Sequence, residues 1–215
     1  MSRRLPAWTL LLVAAASLSY LVPGLAEVLV FDRHAIGQGE LWRLLSGHLV
    51  HFSASHLLLD LAVVALAGAA IERGPRCAAG ALYTGSALAI SLALLVLQPQ
   101  MAFYGGLSGI ATAQIAFLAW LGLGAAGPRH WLCLGCLGAL ALQVIGDFFS
   151  GGSWLQLLGD QPFAPAPLAH GAGALSGTIL AWRARRQRPA RSAADPARCL
   201  PEIIQTKPSP DQDTG

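Results

Sequence analysis

Phe103-Tyr104-Gly105-Gly106-Leu107-Ser108-Gly109-Ile110 stands where the chain leaves a polar connection and enters an apolar run that continues to about residue 127. One hydroxyl sits among glycines, so a substrate backbone approaching Ser108 meets little side-chain bulk. The place at the start of a helical run matters too. The first amides of a helix have no carbonyl partner and can hold a developing oxyanion. Taken alone, the string is an ordinary helix start capped by Ser108. The rest of the chain decides between a cap and a nucleophile.

Of the 215 residues, 54% are hydrophobic and 12% charged, which excludes a soluble globular domain and indicates an integral membrane protein. Its size suits one compact bundle of spans without a second folded domain. The formal charge of +3 is unevenly spread, with arginines at the two ends and in two short loops. That pattern speaks of orientation in a lipid bilayer and gives no reason to expect a nucleic-acid partner. Cys133 and Cys136 have a C-x-x-C spacing but lie in an apolar run with no strand before it, so they read as buried small residues. Cys77 and Cys199 fall on the cytoplasmic side, and all four cysteines are expected to stay reduced.

Working outward from Ser108, apolar runs divide the chain into six spans, over residues 8–22, 48–70, 77–97, 107–127, 131–148 and 168–182. The first follows Ser2-Arg3-Arg4 like the core of a signal peptide, but 23–26 make a poor cleavage site, so it reads as an uncleaved helix. Residues 27–46 carry Asp32, Arg33, His34, Glu40 and Arg43 among apolar residues, and are expected to lie in the interface, anchored by Trp42. A glycine- and proline-rich connection over 150–167 separates the last two spans. Arg3, Arg4, Arg73, Arg76, Arg129 and the cluster Arg183, Arg185, Arg186, Arg188 and Arg191 mark alternate span ends, while the other side has only Arg33 and Arg43. By the positive-inside rule both termini are cytoplasmic. The expected fold is an all-α membrane protein, a six-transmembrane-helix bundle over residues 1–186, with 187–215 as a disordered cytoplasmic tail dispensable for chemistry.

Spans two, four and six run inward from the outer face, and each carries its polar residues early. Ser108 opens span four, His170 lies near the start of span six, and His56 and Asp60 share one face of the outer half of span two. Ionisable groups inside a membrane are costly and mark functional candidates. His170 is the natural base for Ser108, accepting its proton and returning it to a leaving amine. Gly173 and Gly177 form a small-xxx-small stripe that permits close approach to span four, with Gly109 facing it. A donor from the His56/Asp60 face, with the Ser108 amide, is placed to stabilise an oxyanion, and His51 frames the same cavity. A metal site of His51, His56 and Asp60 is the alternative, disfavoured because the H-E-x-x-H spacing of zinc proteases is absent. His34, His48 and His130 read as membrane-surface histidines that bridge water or headgroups.

These residues resemble the rhomboid family of intramembrane serine proteases. The match runs from Glu40-Leu41-Trp42-Arg43 through His51-Phe52-Ser53-Ala54-Ser55-His56-Leu57-Leu58-Leu59-Asp60 and Gly106-Leu107-Ser108-Gly109 to Ala169-His170-x-x-Gly173-x-x-x-Gly177. The resemblance implies a Ser108–His170 dyad without metal or cofactor, an oxyanion site near His56, Asp60 and Gly106, and a fifth span or its loop acting as a substrate gate. Rhomboids typically have asparagine where this chain has Asp60. Either Asp60 is protonated and donates to the oxyanion, or it is ionised and orients His56; the second is preferred, since His56 is one helical turn away. The Leu41-Trp42-Arg43-Leu44-Leu45-Ser46-Gly47-His48 run and the aspartate are similar to rhombosortases, a bacterial subgroup. That similarity implies a bacterial inner-membrane enzyme whose substrates are single-span proteins with C-terminal Gly-Gly sorting tails. Two other classes compete: an inactive relative that binds membrane clients, which the intact Ser108 and His170 disfavour, and a proton-coupled transporter, disfavoured because no inverted repeat is visible.

Overall fold

The computed structural model describes residues 5–73, 79–150 and 166–186. Arg3, Arg4, Arg76, Cys77, Arg188, Arg191, Cys199, most of the 150–167 connection and the 187–215 tail, for which the sequence raises expectations, lie outside these residues. Helix α1 (Ala7–Leu21) is followed by three short helices, α2 (Leu25–Leu29), α3 (Arg33–Gly37) and α4 (Arg43–Ser46), and a 3-10 turn at Gly47–Leu49. Five long helices complete the described chain: α5 (Ala54–Arg73), α6 (Ala79–Leu97), α7 (Ser108–Gly122), α8 (Pro128–Ser150) and α9 (Pro167–Arg186). Two short strands, β1 (Phe31–Asp32) and β2 (Phe103–Tyr104), pair antiparallel with Phe31 opposite Tyr104. Pro128 and Pro167 open α8 and α9 at the first helical position, where a missing N–H leaves no helix bond unmade.

Among the described residues, α5, α6 and α8 are long and apolar enough to cross a bilayer. Helices α1 and α7 are apolar but have 15 residues each, and ~1.5 Å per residue gives each a length of about 22 Å. Helix α9 has 20 residues and ends on Arg183, Arg185 and Arg186. The chain is a multi-pass helical membrane protein.

Span two starts later than the hydropathy suggests. Helix α5 begins at Ala54, after Ser53, whose Oγ accepts the His56 amide proton at 3.3 Å. Residue 48 instead belongs to the 3-10 turn, where a Cβ on Gly47 would come within 2.7 Å of the Phe31 backbone. The His48 imidazole is buried, with Nε2 3.0 Å from the Ala87 carbonyl oxygen and 3.1 Å from Ser91 Oγ on α6. His48 is therefore a core residue and not a surface histidine. Burial lowers its pKa to about 4, against a smaller opposing effect of the Ala87 carbonyl. Leu49, Val50 and Phe52 keep a hydropathy window apolar across this turn, so the window does not separate it from the helix that follows.

The region over residues 27–46 is held by its two arginines. Arg43, 8% exposed, donates through Nη1 to the carbonyls of Glu27 (2.9 Å) and Val30 (2.8 Å) and through Nε to Glu40 (2.6 Å). Arg33 donates to the carbonyls of Leu94, Leu95, Gln98 and Met101 at 2.7–3.0 Å, covering the C-terminal end of α6. A cation there answers both the unpaired carbonyls and the negative end of the helix dipole. Trp42 is half exposed beside exposed Leu41 and Leu45, a surface suited to the lipid interface.

At the other end of the bundle, Glu72 closes the start of α1. Its carboxylate accepts from the amides of Trp8 (3.1 Å) and Thr9 (2.6 Å) and from Thr9 Oγ1 (2.6 Å). Thr9 Oγ1 also meets Tyr83 OH at 3.0 Å, and Gln114 Nε2 donates to the same phenol at 3.0 Å, so α1, α5, α6 and α7 share one buried polar network.

Helices α7 and α9 make the closest contact. A Cβ on Gly173 would strike the Gly109 carbonyl oxygen, and one on Gly177 the Ala113 carbonyl oxygen, so the two backbones touch where only glycine fits. Among the described residues helix α8 packs mainly on α7 and α9, and 17% of its apolar stretch is buried, against 28% for α5 and 39% for α6.

Candidate active site

Ser108 is the first residue of α7, with Leu107 in the cap position and no side-chain capping bond. Its hydroxyl is turned instead toward α9, with Oγ 3.1 Å from His170 Nε2. The amide of Ser108 belongs to the first turn of α7, where helix carbonyls are lacking. His170 lies in the first turn of α9, one turn ahead of Gly173. The backbone contact that Gly173 permits is thus next to the pair it brings together.

Ahead of Ser108 the chain turns at Gly106, whose φ of +122° favours glycine. A Cβ there would also lie 2.7 Å from His56 Cε1. Asp60 Oδ2 accepts the Leu107 amide proton at 2.8 Å, with His51 Nε2 at 3.0 Å and His56 Nε2 at 3.3 Å from the same oxygen. His51 Nδ1 is 3.1 Å from the Leu49 carbonyl oxygen. His51 and Asp60 are buried, and His56 is partly exposed with its ring edge-on to His51 at 5.1 Å. The buried Tyr104 donates weakly to the Gly106 carbonyl at 3.4 Å, and burial and the Asp60 charge push its phenol pKa up, so it stays protonated.

Two groups therefore meet at the start of α7. Ser108 and His170 face each other, while His51, His56 and Asp60 converge on the residue before Ser108. Gly106 packs on His56, and Gly109, Gly173 and Gly177 line the α7–α9 contact. Ligand atoms of His51, His56 and Asp60 lie within 4.8 Å of one another, as a metal site would need. The Leu107 N–H, however, is aimed at Asp60 Oδ2 and lies 3.3 Å from His51 Nε2. The oxygen a cation would use thus already accepts the Leu107 amide and anchors the loop ahead of Ser108. Away from the site, exposed His34 meets Gln38 at 2.9 Å, and His130 Nδ1 is 2.9 Å from the Leu123 carbonyl oxygen. Cys133 and Cys136 are free thiols on α8.

Sequence reasoning missed Asp147. It lies near the end of α8, 1% exposed, with Oδ2 2.8 Å from His170 Nδ1. The available signal was a lone carboxylate inside the apolar run assigned to span five.

Fold and site together define a multi-pass helical membrane protein with a hydrogen-bonded serine and histidine at the start of two tightly packed helices. A family model described as the rhomboid domain matches residues 38–187, and the chain belongs to the rhomboid family. Rhomboids are in general serine proteases that act on membrane-protein substrates within the bilayer. No curated protein matches the sequence.

Proposed function

We propose that this chain is a serine endopeptidase that cleaves single-span membrane proteins near the outer face of the membrane, with Ser108 as nucleophile and His170 as base. The observation that carries the reading is the 3.1 Å approach of Ser108 Oγ to His170 Nε2 at an amide-rich helix start. As Ser108 Oγ bonds to the scissile carbonyl carbon, its proton passes to His170 Nε2 and the carbonyl electrons move onto oxygen. The oxyanion is received by the Ser108 amide and the half-exposed His56. His170 then returns the proton to the leaving amine as the C–N bond breaks. Water repeats the sequence on the acyl-enzyme and restores Ser108.

On this reading Asp60 acts as an acceptor, holding the Leu107 amide and the two imidazoles, and not as a donor to the oxyanion. The membrane arrangement we infer has six spans, with α1, α7 and α9 joining α5, α6 and α8, and both termini in the cytoplasm of a bacterial inner membrane. The cleavage machinery is assigned to residues 1–186. Within the rhomboids, the run at residues 41–48 and Asp60 favour the rhombosortase subgroup, and hence substrates with C-terminal Gly-Gly sorting tails.

The test is labelling of the purified protein by a fluorophosphonate, with cleavage of a single-span reporter in proteoliposomes. Labelling and cleavage that vanish in Ser108→Ala and His170→Ala at unchanged protein level support the reading. An unlabelled, inactive wild type overturns it in favour of a client-binding relative. A reporter with a Gly-Gly tail cut no faster than one without it removes the narrower assignment.

A further inference from the structure

Asp147 is a carboxylate on an apolar helix, buried to 1% exposure beside a helix interface. Such a group is costly unless its oxygens are bonded. A carboxylate kept only to tie α8 to its neighbours would be expected to use both oxygens on several donors. Here Oδ1 has no hydrogen-bond partner among the described residues, and Oδ2 meets His170 Nδ1 at 2.8 Å. The other ring nitrogen faces Ser108 Oγ at 3.1 Å. Hydroxyl, imidazole and carboxylate thus form one continuous line across α7, α9 and α8.

The geometry points to Asp147 as a positioning residue for His170, so that the chain works with a serine–histidine–aspartate array and not a bare pair; this rests on the peptidase reading above. A carboxylate at Nδ1 requires the ring proton there and leaves the Nε2 lone pair directed at Ser108. It also fixes the ring plane, which a two-residue pair leaves to rotate. When the Ser108 proton reaches Nε2 during attack, both ring nitrogens carry hydrogen and the ring is cationic. Asp147 keeps its negative charge beside that cation and takes no proton. The proton on Nε2 leaves with the amine, and the Nδ1 proton stays in place throughout.

The experiment uses the full chain in nanodiscs, with Asp147→Asn, Asp147→Ala and Asp147→Glu beside the wild type and Ser108→Ala. Asp147→Asn is expected to lower kcat by roughly 10²- to 10⁴-fold with little change in KM, and to slow fluorophosphonate labelling in parallel. Asp147→Glu, which restores the charge, is expected to recover part of the loss. Nitrogen-15 NMR of histidine-labelled protein, assigned by loss of the His170 signals in a His170→Gln sample, reads the tautomer directly. Protonation of His170 at Nδ1 in the wild type and its loss in Asp147→Asn support the proposal. A wild-type His170 protonated only at Nε2 overturns it, even if every Asp147 variant fails to fold. Asp147→Asn and Asp147→Ala that label and cleave within threefold of wild type also overturn it. The peptidase reading then stands, provided Ser108→Ala is still dead. A wild type that neither labels nor cleaves overturns both.

Discussion

Replacing Gly173 by alanine puts a methyl group against the carbonyl oxygen of Gly109, closer than real Cβ atoms approach anything. The obstacle is backbone and cannot swing aside, so α9 must withdraw from α7 by on the order of 1 Å to restore van der Waals contact. Ser108 precedes Gly109 directly and His170 lies one turn before Gly173, so the withdrawal acts on the 3.1 Å separation between them. A gap of about 4 Å is no longer a hydrogen bond. A misplacement of this size costs about 10²-fold in rate, equivalent to about 2.7 kcal/mol in the barrier. Overpacking adds roughly 1–3 kcal/mol of lost stability.

The assay is reporter cleavage in proteoliposomes per folded molecule, with fluorophosphonate labelling rate and thermal midpoint in the same detergent. Gly138→Ala on α8 is the control, because a Cβ there meets nothing within 4 Å and alanine is the better helix former. A Gly173→Ala protein with wild-type rate and midpoint would refute the close contact. A lowered midpoint with an unchanged rate per folded molecule would refute its link to the serine–histidine distance.

Three further outcomes follow from the same geometry. Asp60→Asn keeps an oxygen for the Leu107 amide and should retain substantial cleavage, whereas Asp60→Leu strands that buried amide at about 1–3 kcal/mol and should impair cleavage; equal wild-type rates in both remove Asp60 from the mechanism. Gly106→Ala forces φ of +122° on a residue with a Cβ and drives that Cβ into His56, so the thermal midpoint should fall by the equivalent of about 2 kcal/mol, with slower labelling of Ser108. His48, depressed to about 4 in the fold, makes the native state resist a proton that the unfolded chain accepts at its ordinary pKa. Stability should therefore be full above pH ~6.5 and decline by about 3 kcal/mol as pH falls toward 4; thermal midpoints of wild type and His48→Gln over that range should converge as acid removes the wild-type advantage, and parallel curves would refute the assignment.

Ser108, His170 and Gly173 were legible because polar or small residues interrupting apolar runs carry information that hydropathy alone does not. His56 and Asp60 were legible through their four-residue spacing. The start of α5 was not, because Leu49, Val50 and Phe52 carry the apolar run of the helix back across the turn that holds His48; Ser53 as a helix cap was the missed clue. Asp147 escaped because a single acid next to the end of an apolar run reads as an interface flank. Only the packing of α8 on α9 reveals its partner. Nor could counting arginines for topology reveal that Arg33 and Arg43 are spent on carbonyls, one at a helix end and one in the loop.

The low burial of α8 gives the position of Asp147 a wider meaning. Of the three long apolar helices, α8 has the least protein around it, yet it holds the oxygen that meets His170. On the proposed peptidase reading, a tilt of α8 into the lipid would draw that oxygen off the imidazole and so carry the bilayer's lateral pressure and thickness into proton transfer at Ser108. Changing the acyl-chain length of the host lipid would then retune the turnover of an otherwise identical protein.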